Sequence, residues 1–408
     1  MKIAVFLPNW IGDAVMATPA LAAIRHRWPD GEVVAVLRPY VADVLEGTGL
    51  VDRVIEWNLR GKTREASGWR LARRLRRERF DAAVLFPNSL RSGWMAWLSG
   101  ATRRIGFARD GRRWLLTDPV QVTSGGVPHP VLDDYLELAS QLDCRSADHR
   151  MHLATSASDE ACWREIRARR SDVLGPRPYI CINPGGAFGA AKHWPSQSFG
   201  ELARRIVTTT DQSVVVVCGP SEREEAREIS EWAGDPRVVS LSDEASSLGL
   251  TKAVIRHATA LVSTDSGPRH FAAPFGVPVV TLFGPTHVAW SETRYERAVH
   301  VQLDVECGPC QQRVCPLGHH RCMTDLAAGR VFGMVNTVGA AGLFAAGPIM
   351  AWVKTEYGFD GLFYFVAGVY LVTTACWLNV DCTRRLVVVD SASDWWSSTL
   401  PDDPVEKT

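Results

Sequence analysis

The sequence predicts an α/β protein built from two doubly wound domains, and three observations carry that reading. Short apolar, β-branched runs recur at Ile3–Leu7, Val33–Leu37, Ala82–Phe86, Tyr179–Asn183, Val214–Cys218, Ala260–Ser263 and Val279–Phe283. Helix-period stretches lie between them, at Ala14–Arg27, Trp69–Arg79, Ser198–Val207 and Glu222–Trp232. Strands that are apolar throughout belong to parallel sheets covered by helices on both faces. The third observation is a gap. The alternation stops near residue 120 and restarts near 179, dividing the chain into domains 1–165 and 175–326. The gap holds two further helical segments, Asp133–Leu142 and Ala161–Arg170. Its linker, Ala154–Pro178, ends in Gly175, Pro176 and Pro178, which stop a helix.

Size and composition agree with this plan. The chain has 408 residues, 46% apolar and 22% charged, enough for two packed cores and too apolar for a disordered protein. Basic and acidic residues balance at 45 each, so no nucleic acid partner is expected. Residues 1–113 nevertheless hold 20 Lys/Arg against 11 Asp/Glu, with a run at Arg70, Arg73, Arg74, Arg76, Arg77 and Arg79. A solvated helix face and a contact for an anionic partner explain that run equally well. Ten cysteines are too sparse for a disulfide scaffold, and the opening MKIAVFLPNWIGD has no cleavable pattern. A reducing, cytoplasmic setting is expected.

From Arg330 the chain changes character. Val331–Val353 is 23 residues without a charge and Gly361–Val380 another 20, each long enough to cross a hydrocarbon core of about 30 Å. The expectation is an apolar helical hairpin over 330–385, a membrane anchor through 331–380, and a disordered tail over 386–408. The competing reading packs the first stretch into the last soluble domain.

Candidate chemistry sits in the turns that follow the strands. Pro8-Asn9-Trp10-Ile11-Gly12-Asp13 has one glycine, which excludes the dinucleotide fingerprint, but it places Asp13 at a helix start facing a crevice. Asp13 is there either a helix cap or a general base. After Asn183 comes Pro184-Gly185-Gly186-Ala187-Phe188-Gly189-Ala190-Ala191-Lys192, where glycines permit close backbone approach and a lysine suits a phosphate. Asp265-Ser266-Gly267-Pro268-Arg269-His270 offers amides for an anion between an acid and a histidine. Phe283-Gly284-Pro285-Thr286 closes the same sheet edge, so three loops of one domain converge as a nucleotide-diphosphate site. Glu222, after Cys218-Gly219-Pro220-Ser221, is placed to meet ribose hydroxyls there, or is an ordinary first-turn acid. Finally, Cys307-x2-Cys310-x4-Cys315-x6-Cys322, with His319 and His320, holds four thiols that could take a structural zinc ion or remain free.

Taken in order, Gly12-Asp13, the 183–195 stretch, Asp265–His270, Phe283–Thr286 and the Cys-Pro-Leu-Gly-His-His-x-Cys run 315–322 resemble glycosyltransferase family 9 over about residues 1–326. The resemblance implies the GT-B architecture: two Rossmann-like domains facing a cleft, with the acceptor on the first and the nucleotide sugar on the second. It implies an inverting transfer of L-glycero-D-manno-heptose from ADP-heptose to the inner core of lipopolysaccharide, at the cytoplasmic face of the inner membrane. Asp13 becomes the general base and Lys192 the catalytic ligand of the diphosphate. Gly185, Gly186, Asp265, Ser266, Gly267 and His270 become donor-binding, and Glu222 matches less securely. No cofactor is required, and Mg²⁺ on the diphosphate is compatible with the scheme. The tail instead resembles the last two transmembrane helices of a major-facilitator transporter, too little to form a transport pathway. Another GT-B nucleotide-sugar transferase, an epimerase, and an inactive membrane-tethered binding module stay open as alternatives.

Overall fold

A computed structural model of the chain describes residues 1–58, 68–122, 126–144, 146, 148–186, 188–343 and 386–388. The first sheet is built from β1 (Lys2–Phe6), β2 (Glu32–Leu37), β3 (Arg53–Glu56), β4 (Ala82–Leu85), β5 (Arg103–Phe107) and β6 (Asp118–Val120). Its order is β3-β2-β1-β4-β5-β6, all parallel. The second sheet repeats the plan with β7 (Tyr179–Asn183), β8 (Ser213–Val216), β9 (Val238–Ser240), β10 (Ala260–Thr264), β11 (Val279–Phe283) and β12 (Ala298–Leu303), in the order β9-β8-β7-β10-β11-β12. Every residue of β4, β7, β8, β10 and β11 is buried, as their unbroken apolar character requires.

In such a sheet the chain leaves the central pair of strands in opposite directions, and a crevice opens beyond their carboxyl ends. That switch point lies between β1 and β4 in the first domain and between β7 and β10 in the second. Asp13 follows β1, the glycine loop follows β7 and Asp265 follows β10, so the topology alone sends all three to crevices.

Several elements depart from the sequence reading. The helix expected over Ala14–Arg27 is two, Ile11–Met16 and Thr18–Arg27, because Pro19 starts a new first turn after Ala17. The helical segment expected over Ala161–Arg170, within the linker, is helix Ala157–Arg169. It packs on helix Leu248–Arg256 of the second domain, with the Trp163 ring 5.4 Å from Tyr179.

The largest correction concerns the apolar stretch after Arg330. Helix Ala328–Leu343 seats Ala328, Val331 and Val335 in the core of the second domain, beside Ile206, Leu282 and Met323. Just upstream, the Trp194 indole donates to the Leu326 carbonyl at 2.9 Å. The spacing 328, 331, 335 is one helix face, and each buried valine contributes about 1.5–3 kcal/mol. The opening of the stretch read as a membrane span is therefore domain core. Among the described residues no helix is long and apolar enough to cross a membrane. The remainder of the expected hairpin and the transporter-like tail lie outside the described residues. Leu386–Val388, assigned to a disordered tail, forms β13, antiparallel to β12.

The domains meet glycine against glycine. A β-carbon on Gly12 would come within 2.9 Å of His270 Cδ2, and one on Gly267 within 3.1 Å of Ile11 Cβ. Farther out, Lys252 Nζ donates to the Asp43 carbonyl at 2.8 Å, and Arg294 Nη2 pairs with Asp133 at 2.7 Å.

Candidate active site

Helix Ile11–Met16 begins without a side-chain cap, its N-cap being Trp10, so Asp13 is not the cap. It stands in the first turn and lines a cleft of about 280 Å³ between the domains. Among the described residues no hydrogen bond reaches its carboxylate. Burial, and then the negative charge of Asp265, push its acid up to about 6, against a smaller pull from Lys192. A carboxylate in that range is mostly ionised at neutral pH and is basic enough to accept a proton.

The facing wall is organised around Asp265. Lys192 Nζ donates to its Oδ2 at 2.5 Å and to its carbonyl at 3.0 Å. Arg269 Nε lies 3.3 Å from Oδ1, Thr286 Oγ1 donates at 2.7 Å and Ser291 Oγ at 3.3 Å. Burial opposes ionisation of Asp265, but Lys192 and Arg269 prevail and hold it far below the usual carboxylate range. Of the two cations held around this anion, Lys192 lines the cleft, while Arg269 is buried behind it and also feels Glu292. Lys192 and Arg313 also flank the Phe188 ring, 4.7 and 5.3 Å from its centre.

The neighbouring groups build this wall. Asn183 Nδ2 donates to Ser263 Oγ at 3.0 Å and Ser266 Oγ at 2.7 Å, and the Thr264 hydroxyl donates to the Gly185 carbonyl at 2.5 Å. The Glu222 carboxyl packs closely on Gly185: a β-carbon there would sit 2.1 Å from it and displace the side chain. Glu222 in turn accepts from the Gly219 amide at 2.8 Å. His270 is buried, and burial followed by the Arg269 charge keeps its ring neutral.

Asp13, Lys192, Asp265, Ser266, Gly267 and His270 thus share one cleft. Gly185, Gly186 and Glu222 are not among the residues that line it. The turns that follow these loops are short. Only one 3₁₀ turn, Ala190–Lys192, follows the glycine loop before helix Ser196–Thr209, and Gly267–Phe271 is also 3₁₀. Side-chain cations carry more of the positive field than helix ends do. Sequence reasoning missed Trp10, Met16, Trp290 and Gln311 on the cleft lining and Ser291 beside Asp265. Only Trp10 adjoined a motif that could have flagged it.

The four cysteines form a separate feature. Cys307, Cys310, Cys315 and Cys322 are free thiols lining one small cavity of about 40 Å³ with His319 and His320. The His320 amide donates to Cys315 Sγ at 3.4 Å, and His319 Nε2 lies 3.9 Å from Cys307 Sγ. Among the described residues no group of three or more such side chains is arranged around a metal position. The loop buttresses the cleft: the Ala191 amide donates to the Arg313 carbonyl at 3.1 Å, and the Gln311 amide to the Pro285 carbonyl at 2.7 Å.

Two Rossmann-like domains that present an acid and a cation cluster to one cleft are the frame of a GT-B transferase, and the comparisons decide which. The model of glycosyltransferase family 9 (heptosyltransferase) matches residues 68–321, more than half of the chain. The chain belongs to glycosyltransferase family 9. Family 9 membership makes it a glycosyltransferase, which sets aside the epimerase and the inactive binding module. Lipooligosaccharide heptosyltransferase 2 of Campylobacter jejuni is 27% identical over 338 residues, 81% of this chain and 96% of its own. Lipopolysaccharide heptosyltransferase 2 of Escherichia coli K12 is 25% identical over 350 residues, 83% and 98% respectively. In structure, the family 9 chain is similar to E. coli ADP-heptose lps heptosyltransferase II, with a TM-score of 0.68 at 24% identity, covering 84% of this chain and 99% of that one.

Proposed function

We propose that this family 9 enzyme transfers L-glycero-D-manno-heptose from ADP-heptose to the inner core of lipopolysaccharide, inverting the anomeric carbon. One observation carries the reading. A carboxylate that no hydrogen bond reaches among the described residues, on the first domain, shares a single cleft with Lys192 and Asp265 of the second. The names of the relatives supply donor and acceptor, and the geometry supplies roles.

The acceptor hydroxyl attacks the anomeric carbon from the face opposite the diphosphate. Its proton passes to Asp13, worth about 10²–10⁴-fold in rate. The bond to the diphosphate breaks as the new bond forms, and ADP leaves with the electron pair. Lys192 and Arg269 stabilise the charge that grows on the leaving group, Lys192 directly and Arg269 through the Asp265 cluster. Glu222, Gly185 and Gly186 are assigned to the donor from outside the cleft lining, and Ser266, Gly267 and His270 from within the cleft. No step is routed through a metal. A structural Zn²⁺ at the four thiols would require their side chains to rearrange, since among the described residues no three converge on a metal position. About one ion per purified chain supports it, and a metal-free chain overturns it. The enzyme is placed at the cytoplasmic face of the inner membrane, where its acceptor is carried.

Release of the nucleoside diphosphate, ADP from ADP-heptose or UDP from UDP-sugars, measured on a core oligosaccharide acceptor, tests the donor. Turnover confined to ADP-heptose, with an inverted product, supports the reading. Equal turnover with a UDP-sugar overturns it.

A further inference from the structure

Helix Leu90–Ser99 turns its buried side, Met95 and Ala96, into the core of the first domain and presents tryptophans outward. Trp94 is 42% exposed, Trp97 45% and Trp114, on the adjoining turn Arg113–Leu115, 63%. Their rings touch one another, Trp94 to Trp97 at 5.3 Å and Trp94 to Trp114 at 5.8 Å between centres. The result is a continuous aromatic patch in water rather than three scattered side chains. Nothing among the described residues covers it.

The neighbouring helix supplies charge. Gly68–Glu78 shares the same core through Leu71, Ala72 and Leu75, and its exposed side carries Arg70, Arg73, Arg74, Arg76 and Arg77. The lone acid on that helix, Glu78, is occupied by Lys2 at 2.6 Å and Arg53 at 2.7 Å. An arginine face without a free carboxylate therefore adjoins a tryptophan patch. Indoles settle at the headgroup level of a bilayer, and clustered arginines are drawn to anionic lipids.

We infer that the surface formed by helices Gly68–Glu78 and Leu90–Ser99, with Trp114, docks the first domain onto an anionic phospholipid bilayer. It rests on the proposed function only in the choice of a bilayer, since that acceptor is membrane-anchored. Stacking tryptophans and arginines would also suit single-stranded RNA, and the test separates the two. The docking surface lies on the domain that carries Asp13.

The test is sedimentation of the full chain with vesicles of phosphatidylglycerol and phosphatidylethanolamine, and with phosphatidylcholine alone, in the absence of donor. The wild type is expected to sediment with the anionic vesicles. The triple variant Trp94→Ser, Trp97→Ser, Trp114→Ser is expected to lose about tenfold in partitioning. ADP binding by the variant confirms its fold, and Arg73→Glu with Arg74→Glu and Arg77→Glu provides a second, charge-reversed arm. Both chains carry residues 344–408, so the difference reports this face alone. Equal sedimentation of wild type and variants overturns the proposal, as does wild type that ignores vesicles but retains single-stranded RNA. Vesicle binding needs no sugar nucleotide, so a wrong donor leaves this result standing. Transfer to a soluble acceptor fragment is expected to be unchanged in the variants.

Discussion

The two domains share one strand order and each delivers an aspartate to the same cleft, yet the two acids are in opposite states. Asp13 has no hydrogen-bond partner among the described residues, and burial raises its acid to about 6. Asp265 is surrounded by Lys192, Arg269, Thr286 and Ser291 and is held strongly ionised. Position in the fold is therefore not what makes a base. Burial with few partners produces a proton acceptor, whereas burial with many produces a fixed anion that orders cations. The first domain leaves its acid unpaired among the described residues, and the second surrounds its own with cations and hydroxyls.

Removing each acid in turn breaks this contrast. Asp13→Asn is expected to slow transfer by about 10²–10⁴-fold while ADP affinity stays near wild type, because the groups proposed to hold the donor lie on the other wall. Paired turnover and ADP titration check it, and retention of more than about a tenth of the rate removes the proton-acceptor role. Asp265→Ala has a different signature. It leaves Lys192 and Arg269 buried without a counter-ion and is expected to cost about 3–5 kcal/mol of stability, read by denaturant unfolding. A neutral outcome would show that water already compensates those cations.

A smaller effect sharpens the contrast. The folded value of Asp13, about 6, lies above its ordinary 3.8, so its ionisation works against the fold. That cost is absent below pH 3.8, grows between 3.8 and about 6, and is complete above. Asp13→Asn is therefore expected to gain roughly 3 kcal/mol of stability at pH 7 and well under 1 kcal/mol at pH 4. Thermal unfolding at both pH values checks it, and an equal shift at each would assign the gain to packing instead.

Much of this was legible in the sequence, for a physical reason. Strands such as Val33–Leu37 and Val279–Phe283 are apolar because both faces are covered, and the turns after them must reach the ligand edge. Arg53–Glu56, Asp118–Val120 and Val238–Ser240 escaped because they are three or four residues long and lie at sheet edges, held by pairing with a neighbour rather than by their own pattern. The apolar run after Arg330 misled for the converse reason. Its hydrophobicity fits a membrane, but Ala328, Val331 and Val335 satisfy a domain core on one face. Asp13 and Asp265 were visible as turn residues, while their opposite states were not. Those states depend on Lys192, Arg269, Thr286 and Ser291, brought together from four segments only by folding.

The most direct test of the Asp13 assignment is the pH dependence of transfer. For the wild type, kcat/KM measured with saturating acceptor is expected to hold level above about pH 6 and to fall tenfold per unit below it, as the Asp13 carboxylate takes up its proton. Asp13→Asn is expected to show a low, flat profile across the same range. A variant that keeps the same inflection near pH 6 would contradict the assignment and place the base elsewhere in the cleft.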